Sequence, residues 1–159
     1  MQPDWVFSDN DRRLMEEALE EARAAAVRGE VPVGCVAVRD GEIVARAGNR
    51  RRELGDPSAH AEILALRAAA ETGEDWRLED VTLYVTLEPC PMCASAIRQA
   101  RVDLVVWGAE DPVLGACGSV IDLAEDPRLG PPTANRGGLL AEVSGQLLRT
   151  FFAKTSRRS

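Results

Sequence analysis

The sequence lacks the features of a membrane-spanning or secreted protein. Its 159 residues contain no run that approaches the roughly 20 apolar residues a transmembrane helix needs. The first residues, MQPDWVFSDND, are acidic and contain no apolar stretch of the kind found in a secretory signal. We therefore expect a cytoplasmic protein.

The chain also lacks an excess of positive charge. It has 19 Lys and Arg against 26 Asp and Glu, a net charge of −7. Proteins that coat nucleic acid are basic, so this composition excludes that class. Any contact with nucleic acid would need local basic clusters, and each of these could equally be solvated surface or a terminal tail. The candidate clusters are Arg50–Arg52, Arg98 with Arg101, and Lys154 with Arg157 and Arg158.

Only one histidine and four cysteines are available for metal or redox chemistry. Without a secretory signal, a CxxC pair such as Cys90 and Cys93 indicates a metal or redox site rather than a disulfide. Cys35 lies in an apolar run, and Cys117 lies in a glycine-rich turn. We expect neither of these two to bind metal, because free cysteine is commonly a small buried apolar residue.

Hydrophobic periodicity and turn signals predict a layered α/β domain. The predicted elements are a helix at 8–28, two strands around Asp40-Gly41, a loop at 49–57, a helix from Ser58 to Gly73, a strand at 81–87, a helix from Pro91, a strand at 102–108, an irregular segment at 109–138 and a last helix at 139–152. The hairpin makes the sheet mixed. We see no repeat and no linker, and therefore predict one domain over 1–159 with a frayed tail at 155–159.

Two short motifs together indicate a zinc site. His60-Ala61-Glu62 and the CxxC pair Cys90 and Cys93 supply one imidazole nitrogen and two thiolates. Three protein ligands leave the fourth tetrahedral position open for water, whereas structural zinc sites have four protein ligands. A helix that begins at Pro91 favours thiolates, because its N-terminus lowers the pKa of nearby thiols.

Glu62 is the predicted proton carrier of this site. Positions i and i+2 on a helix point apart, so His60 and Glu62 can converge only in the first turn, where an N-cap at Ser58 would place them. Glu62 would then face a zinc-activated water without binding the metal. Its alternative role is a favourable interaction of its charge with the helix N-terminus.

These motifs and their surroundings resemble the bacterial tRNA-specific adenosine deaminase (TadA) family of the cytidine and deoxycytidylate deaminase superfamily. The likeness runs from about residue 8 to 123 and is carried by EVPVGCVAV, GNR, DPSAHAEILALR, VTLYVTLEPCPMCASAI and GAEDPVLGACGSV. The resemblance implies a three-layer cytidine-deaminase-like α/β fold, with a mixed central β-sheet flanked by helices. It also implies a homodimer.

The resemblance further implies hydrolytic conversion of adenosine to inosine at the wobble position of an arginine tRNA. The cofactor would be zinc, and the partner would be a single-stranded anticodon stem-loop that presents a flipped adenosine. The family's residues match His60, Cys90 and Cys93 for zinc, Glu62 for proton transfer, and Asn49, Ala61 and Asp111 for substrate contacts. Asn49 and Asp111 could equally be turn formers.

Two alternative functions are compatible with the residues. A deaminase of free guanine, cytosine or cytidine would share the fold and the metal but have a different pocket. A non-catalytic zinc module or a CxxC redox protein would belong to another class. A redox protein should hold no zinc, and a structural zinc site would need a fourth protein ligand.

Overall fold

A mixed five-stranded sheet lies at the centre of the fold. The structure is a computed structural model that describes residues 6–156. Its strands are β1 (Gly34–Arg39), β2 (Glu42–Gly48), β3 (Val81–Leu87), β4 (Leu104–Ala109) and β5 (Ala134–Gly137). They lie in the order β2-β1-β3-β4-β5. Strand β1 is antiparallel to β2 and β3, whereas β3, β4 and β5 run parallel.

Helices cover both faces of this sheet. They are α1 (Asp9–Val27), α2 (Arg51–Leu54), α3 (Ala61–Glu71), α4 (Pro91–Gln99) and α5 (Ala141–Ser156), with a 3₁₀ turn at Pro127–Leu129. Helices α1 and α5 contact each other and the central strands, while α3 contacts α4, β1 and β2. In the described range 6–156, no helix combines the length and the apolar character needed to cross a bilayer.

Alternation of side chains along the strands divides the apolar core in two. Cys35, Leu83 and Val105 belong to the core under α3 and α4. Their neighbours along the strands, such as Val36 and Tyr84, belong to the core under α1. Because the central strands β1, β3 and β4 are buried on both faces, the predicted three-layer α/β architecture with a mixed central sheet is confirmed.

Local signals located most of the elements correctly. Ser8 caps α1 and exchanges hydrogen bonds with Asp11 in a reciprocal capping box. The β1–β2 turn has positive φ angles at both Asp40 (52°) and Gly41 (78°), as a two-residue hairpin of this twist requires. Pro91 is the first residue of α4.

The predicted N-cap at Ser58 is wrong. Helix α3 begins at Ala61, and its N-cap is His60, which has extended backbone angles. Ser58 instead turns back on Asp56, whose carboxylate accepts hydrogen bonds from the Ser58 hydroxyl at 2.7 Å and its N–H at 2.8 Å. This local competitor for the serine side chain is why it does not cap the helix.

Short elements lie in the predicted loop at 49–57 and in the segment at 109–138, where the sequence predicts at most short pieces of structure. The loop at 49–57 contains the four-residue helix α2, and the segment at 109–138 contains the 3₁₀ turn Pro127–Leu129 and β5. None of these elements has an apolar periodicity of its own, so tertiary contacts determine them. The last helix continues to Ser156, so it includes residues 155 and 156 of the predicted tail, and residues 157–159 lie outside the described part of the chain.

Candidate metal and catalytic site

Three potential metal ligands meet where helices α3 and α4 begin. His60 is the N-cap of α3, Cys90 is the N-cap of α4, and Cys93 lies in the first turn of α4. The Nδ1 atom of His60 lies 3.6 Å from the Cys90 Sγ and 3.4 Å from the Cys93 Sγ. All three ligand atoms lie within 4.8 Å of one another.

These separations fit a tetrahedral zinc ion. Zn–N and Zn–S bonds of usual length at tetrahedral angles place nitrogen and sulfur about 3.6 Å apart. The hydrogen bond with Cys93 lowers the pKa of Cys90 to about 4, and with burial it raises the pKa of Cys93. A thiolate is therefore available at neutral pH at a helix N-terminus, where its charge is favoured.

The other two cysteines stay apart from this cluster. Cys35 is buried in β1, where burial raises its pKa well above the ordinary thiol value. Cys117 is also buried. Among the described residues, the metal-binding group consists of His60, Cys90 and Cys93. The fourth coordination position is thus left to a non-protein ligand, as in a catalytic zinc site.

Glu62 lies beside the cluster although it is only two positions from His60. The two side chains converge because His60 is outside the helix with extended backbone angles, while Glu62 is in the first turn of α3. Glu62 is only 4% exposed. Burial raises its pKa to about 7. A carboxyl group with this pKa can both accept and donate a proton near neutral pH.

A cavity of about 410 Å³ opens onto the metal-binding group. This volume is within the range of small-molecule sites. Its polar wall includes His60, Glu62, Asn49 and Asp111. Apolar residues form the rest of the wall, which the sequence analysis did not identify: Val31, Val33, Leu87, Pro112, Val113, Leu114, Leu148 and Phe152.

Asn49 connects this cavity to the start of α3. Its side-chain oxygen accepts a 2.8 Å hydrogen bond from the backbone N–H of Ala61, the first residue of the helix. The same asparagine is 7% exposed and lines the cavity. Ala61 is fully buried, and its N–H holds the Asn49 side chain at the cavity. Contacts of Asn49 and Ala61 with a substrate stay predictions.

Asp111 begins the loop that forms another wall of the cavity. One of its carboxylate oxygens accepts hydrogen bonds of 3.0 Å from the N–H groups of Val113 and Leu114. The turn-forming role considered for Asp111 is therefore present, and the residue lines the cavity as well. Its contact with a substrate stays a prediction.

Sequence reasoning missed Glu88, which directly follows β3 and lies two residues before Cys90. The side chain is 1% exposed and borders the cavity. Its carboxylate accepts hydrogen bonds from the backbone N–H groups of Asp111, Cys117 and Ser119, in the loop that lines the cavity. A charged residue at the end of a buried strand was the available signal, because such residues are rarely fully buried without partners.

The basic clusters have different environments. Arg51 is exposed and lines the cavity. Arg50 forms an ion pair with Glu53 at 2.8 Å. Arg98, a candidate for contact with nucleic acid, is only 4% exposed. That assignment is wrong, because its guanidinium donates to the backbone carbonyls of residues 123, 124, 130 and 131 inside the protein.

The remaining cationic candidates lie toward the other end of the chain. Lys154 is exposed on α5, and Arg101 is partly exposed after α4. Arg157 and Arg158 lie outside the described residues.

Comparison with known proteins agrees with this geometry. Residues 8–109 match the family model "Cytidine and deoxycytidylate deaminase zinc-binding region". The chain is 44% identical to the tRNA-specific adenosine deaminase of Bacillus subtilis, over 93% of this chain and 92% of the relative. It is 46% identical to the chloroplastic tRNA(adenine(34)) deaminase of Arabidopsis thaliana over 89% of this chain, but spans only 12% of that longer protein.

A solved structure shares this fold over most of the chain. It comes from a study of A-to-I editing by tRNA:A34 deaminases at the wobble position, and it superposes with a TM-score of 0.82 at 46% identity. The match covers 86% of this chain and 99% of the solved one. Fold and site define a zinc-dependent deaminase of the cytidine and deoxycytidylate deaminase family, and within this family the chain belongs to the tRNA-specific adenosine deaminases.

Proposed function

We propose that this protein converts adenosine to inosine at the wobble position of a tRNA, with arginine tRNA as the substrate. The observation that carries the proposal is the placement of Glu62 in one cavity with His60 and Cys90, which form a metal-binding group with the buried Cys93. The relatives named for this reaction match the chain over nearly its whole length, which supports the same reaction here.

His60, Cys90 and Cys93 would hold the zinc ion, and they fit it in atom type and spacing. When bound, zinc supplies the Lewis acidity that activates a water molecule at neutral pH. The cavity lined by His60, Glu62 and Cys90 is the side of the site that is open to a substrate.

Glu62 would move every proton in the reaction. It accepts a proton from the attacking water and delivers it to the ring nitrogen of adenine as C6 is attacked. It then takes the remaining proton from the new C6 hydroxyl and delivers it to the amine as the C6–N bond breaks, so that adenosine and water yield inosine and ammonia. Its pKa of about 7 suits both directions of transfer, because an efficient acid–base group has a pKa near the working pH.

The surroundings of the cavity support an RNA substrate over a free base. Val113, Leu114 and Phe152 are 75%, 54% and 52% exposed, so the cavity extends into an open apolar rim. Unstacked nucleotides of a single-stranded loop bind such surfaces by stacking and apolar contact. Arg51 at the same rim offers a charge to a phosphate.

Asn49 and Asp111 would contact this substrate, and the buried Ala61 would contribute through the N–H that holds the Asn49 side chain in place. The side-chain oxygen of Asn49 accepts the hydrogen bond from Ala61. The side-chain NH₂ group of Asn49 is therefore the group that would bind the base. Asp111 would act from the opposite loop, where its second carboxylate oxygen can accept a hydrogen bond from a ribose hydroxyl.

We also propose that the protein is a cytoplasmic homodimer. Large apolar side chains on α4 and just after the loop at 110–119 are solvent-exposed. They include Met92 (39%), Val120 (51%) and Ile121 (45%). Burial of such side chains against a second copy would remove apolar surface from water. Sedimentation of the full chain should give twice the monomer mass, and a monomer would contradict the proposal.

A substrate panel tests the reaction. Zinc-loaded protein is incubated with an arginine-tRNA anticodon stem-loop that carries adenosine at the wobble position, and separately with adenosine, cytidine, cytosine and guanine. Inosine in the stem-loop alone is the expected result. Turnover of a free base or nucleoside with the stem-loop untouched would retain the zinc site and reject the RNA substrate.

A further inference from the structure

Glu88 holds the loop that forms one wall of the cavity. One carboxylate oxygen accepts from the Asp111 N–H at 3.1 Å and from the Ser119 hydroxyl. The other accepts from the Cys117 N–H at 3.0 Å and the Ser119 N–H at 3.1 Å. Four donors from residues 111–119 therefore converge on a side chain that is 1% exposed.

The same loop is attached to the segment that carries a metal ligand. The Glu88 N–H donates to the Ala109 carbonyl at 2.9 Å, and the Ala116 N–H donates to the Pro89 carbonyl at 2.9 Å. Cys90 follows directly. The position of the loop relative to the metal ligands is thus set by residues 88 and 89.

Hydrogen bonds rather than apolar packing hold the tip of this loop. Val113 and Leu114 are 75% and 54% exposed although they are apolar, so burial does not fix their position. Gly115 lies against the Glu88 carboxylate. A Cβ atom at this position would come within 2.5 Å of both the Glu88 Oε1 and the Asp111 carbonyl oxygen. The loop passes too close to Glu88 for any larger residue at this point.

We propose that Glu88 is a positioning residue for the RNA substrate. By fixing the loop at 110–119 relative to Cys90, it places Asp111, Val113 and Leu114 where they meet the nucleotides beside the target adenosine. The hydrogen bonds of the Glu88 side chain go to this loop and not to His60, Cys90 or Cys93, so it acts on substrate binding through the loop. The proposal rests on the function proposed above.

The test variant is Glu88→Gln in the zinc-loaded full-length protein. The amide has the shape of the carboxylate, but its NH₂ group would face backbone N–H donors that it cannot pair with. The matched control is Glu79→Gln, the same chemical change at an exposed residue just before β3. Both variants are compared with the wild-type protein for bound zinc, for kcat and KM on the stem-loop, and for amide hydrogen exchange.

We expect Glu88→Gln to bind one zinc per chain and to raise KM by about tenfold, with kcat changed by less than about threefold, as the loss of a buried charge-assisted hydrogen bond predicts. Exchange at the Asp111, Cys117 and Ser119 amides should accelerate by at least about tenfold, while amides of β1 and β3 stay protected. Glu79→Gln should match the wild-type protein in each measurement.

The outcomes separate this proposal from the proposed function. Unchanged exchange at the three amides, or a loss of kcat at constant KM, would overturn the positioning role. If the wild-type protein does not deaminate the stem-loop, the proposed function fails, and the exchange data still decide whether Glu88 holds the loop. If Glu88→Gln does not fold, Ser119→Ala decides instead: it should show a smaller rise in KM, and an unchanged KM would contradict the role.

Discussion

The side-chain oxygen of Asn49 accepts a hydrogen bond of 2.8 Å from the backbone N–H of Ala61. Ala61 is the first residue of α3, and its N–H has no partner within the helix. Asn49 thus caps the helix from a distance in sequence of 12 residues. It also borders the cavity, so one side chain joins helix stability to the substrate site.

This double role predicts different effects for two substitutions of Asn49. Asn49→Ala should lower the free energy of unfolding by about 1 kcal/mol, because the cap is lost. Asn49→Asp keeps the acceptor oxygen but loses the NH₂ donor, so turnover should fall while the cap remains. Chemical denaturation and stem-loop deamination measure the two effects separately. Wild-type turnover by Asn49→Asp would show that the amide nitrogen does not bind the base.

Arg51 should account for part of the salt dependence of RNA binding. It is exposed at the cavity, whereas Arg50 is paired with Glu53. Charge reversal at Arg50–Arg52 should weaken binding and flatten its salt dependence. Arg51→Ala alone should reduce the slope of log K against log salt by about 0.7, the value for one phosphate of a single strand. Titrations at several salt concentrations measure this slope.

Arg77→Ala is the control for the salt experiment. Arg77 is an exposed cation that lies over the Trp76 ring and pairs with Asp75. Its removal changes the net charge by the same amount as Arg51→Ala. Equal slopes for the two variants would show that only net charge matters and that Arg51 does not contact the RNA.

The sequence predicts the zinc site better than the walls around it. His60, Glu62, Cys90 and Cys93 could be identified because zinc chemistry requires these atom types in short motifs. Glu88 could not be assigned a role, because its partners lie 23 to 31 residues further along the chain. Arg98 was assigned to the surface from its charge, although its partners are loop carbonyls.

The difference between local patterns and long-range partners also separates the strands that the sequence predicts from those that it misses. Strand β3 is apolar over most of its length and bounded by turns, so the bounds 81–87 are correct. Strand β5, Ala134–Gly137, has one charged and one amide side chain and exists through its pairing with β4. Long-range pairing of this kind leaves no periodic pattern in four residues.

Arg98→Lys should destabilise the protein although the charge is kept. A lysine has no planar fork of donors, so it cannot reach carbonyls on residues 123, 124, 130 and 131 together. We expect a loss of at least about 2 kcal/mol in the free energy of unfolding, since buried carbonyls would lose charge-assisted bonds. Chemical denaturation beside Arg101→Lys provides the comparison. Equal stability of the two variants would refute this role for Arg98.

The hydrogen bond between Tyr84 and Asp11 should make stability depend on acid pH. The two oxygens are 2.7 Å apart. Burial acts to raise the pKa of Asp11, but hydrogen bonds from Ser8 and Tyr84 outweigh it and lower the pKa below its ordinary value of 3.8. A lowered folded-state pKa contributes stability that is present above the unfolded pKa and is lost as the pH falls through the folded pKa.

Denaturation at pH 3 and pH 7 tests this linkage. Asp11→Asn should cost about 1 kcal/mol at pH 7 and less in acid, where the wild-type carboxylate becomes protonated. Tyr84→Phe removes one of the bonds that lower the pKa of Asp11 and should reduce the acid-dependent difference. A cost of Asp11→Asn that is the same at both pH values would contradict the assignment.

The most direct test of the account is the single-turnover rate of inosine formation at the wobble adenosine of the stem-loop. It compares the zinc-loaded wild-type protein with Glu62→Gln, which keeps the shape of the side chain and leaves the three zinc ligands intact. We predict one zinc per chain in both proteins and a rate that falls by at least about 10²-fold in the variant, the contribution of a positioned acid–base group. A variant that retains zinc and the wild-type rate would contradict the account.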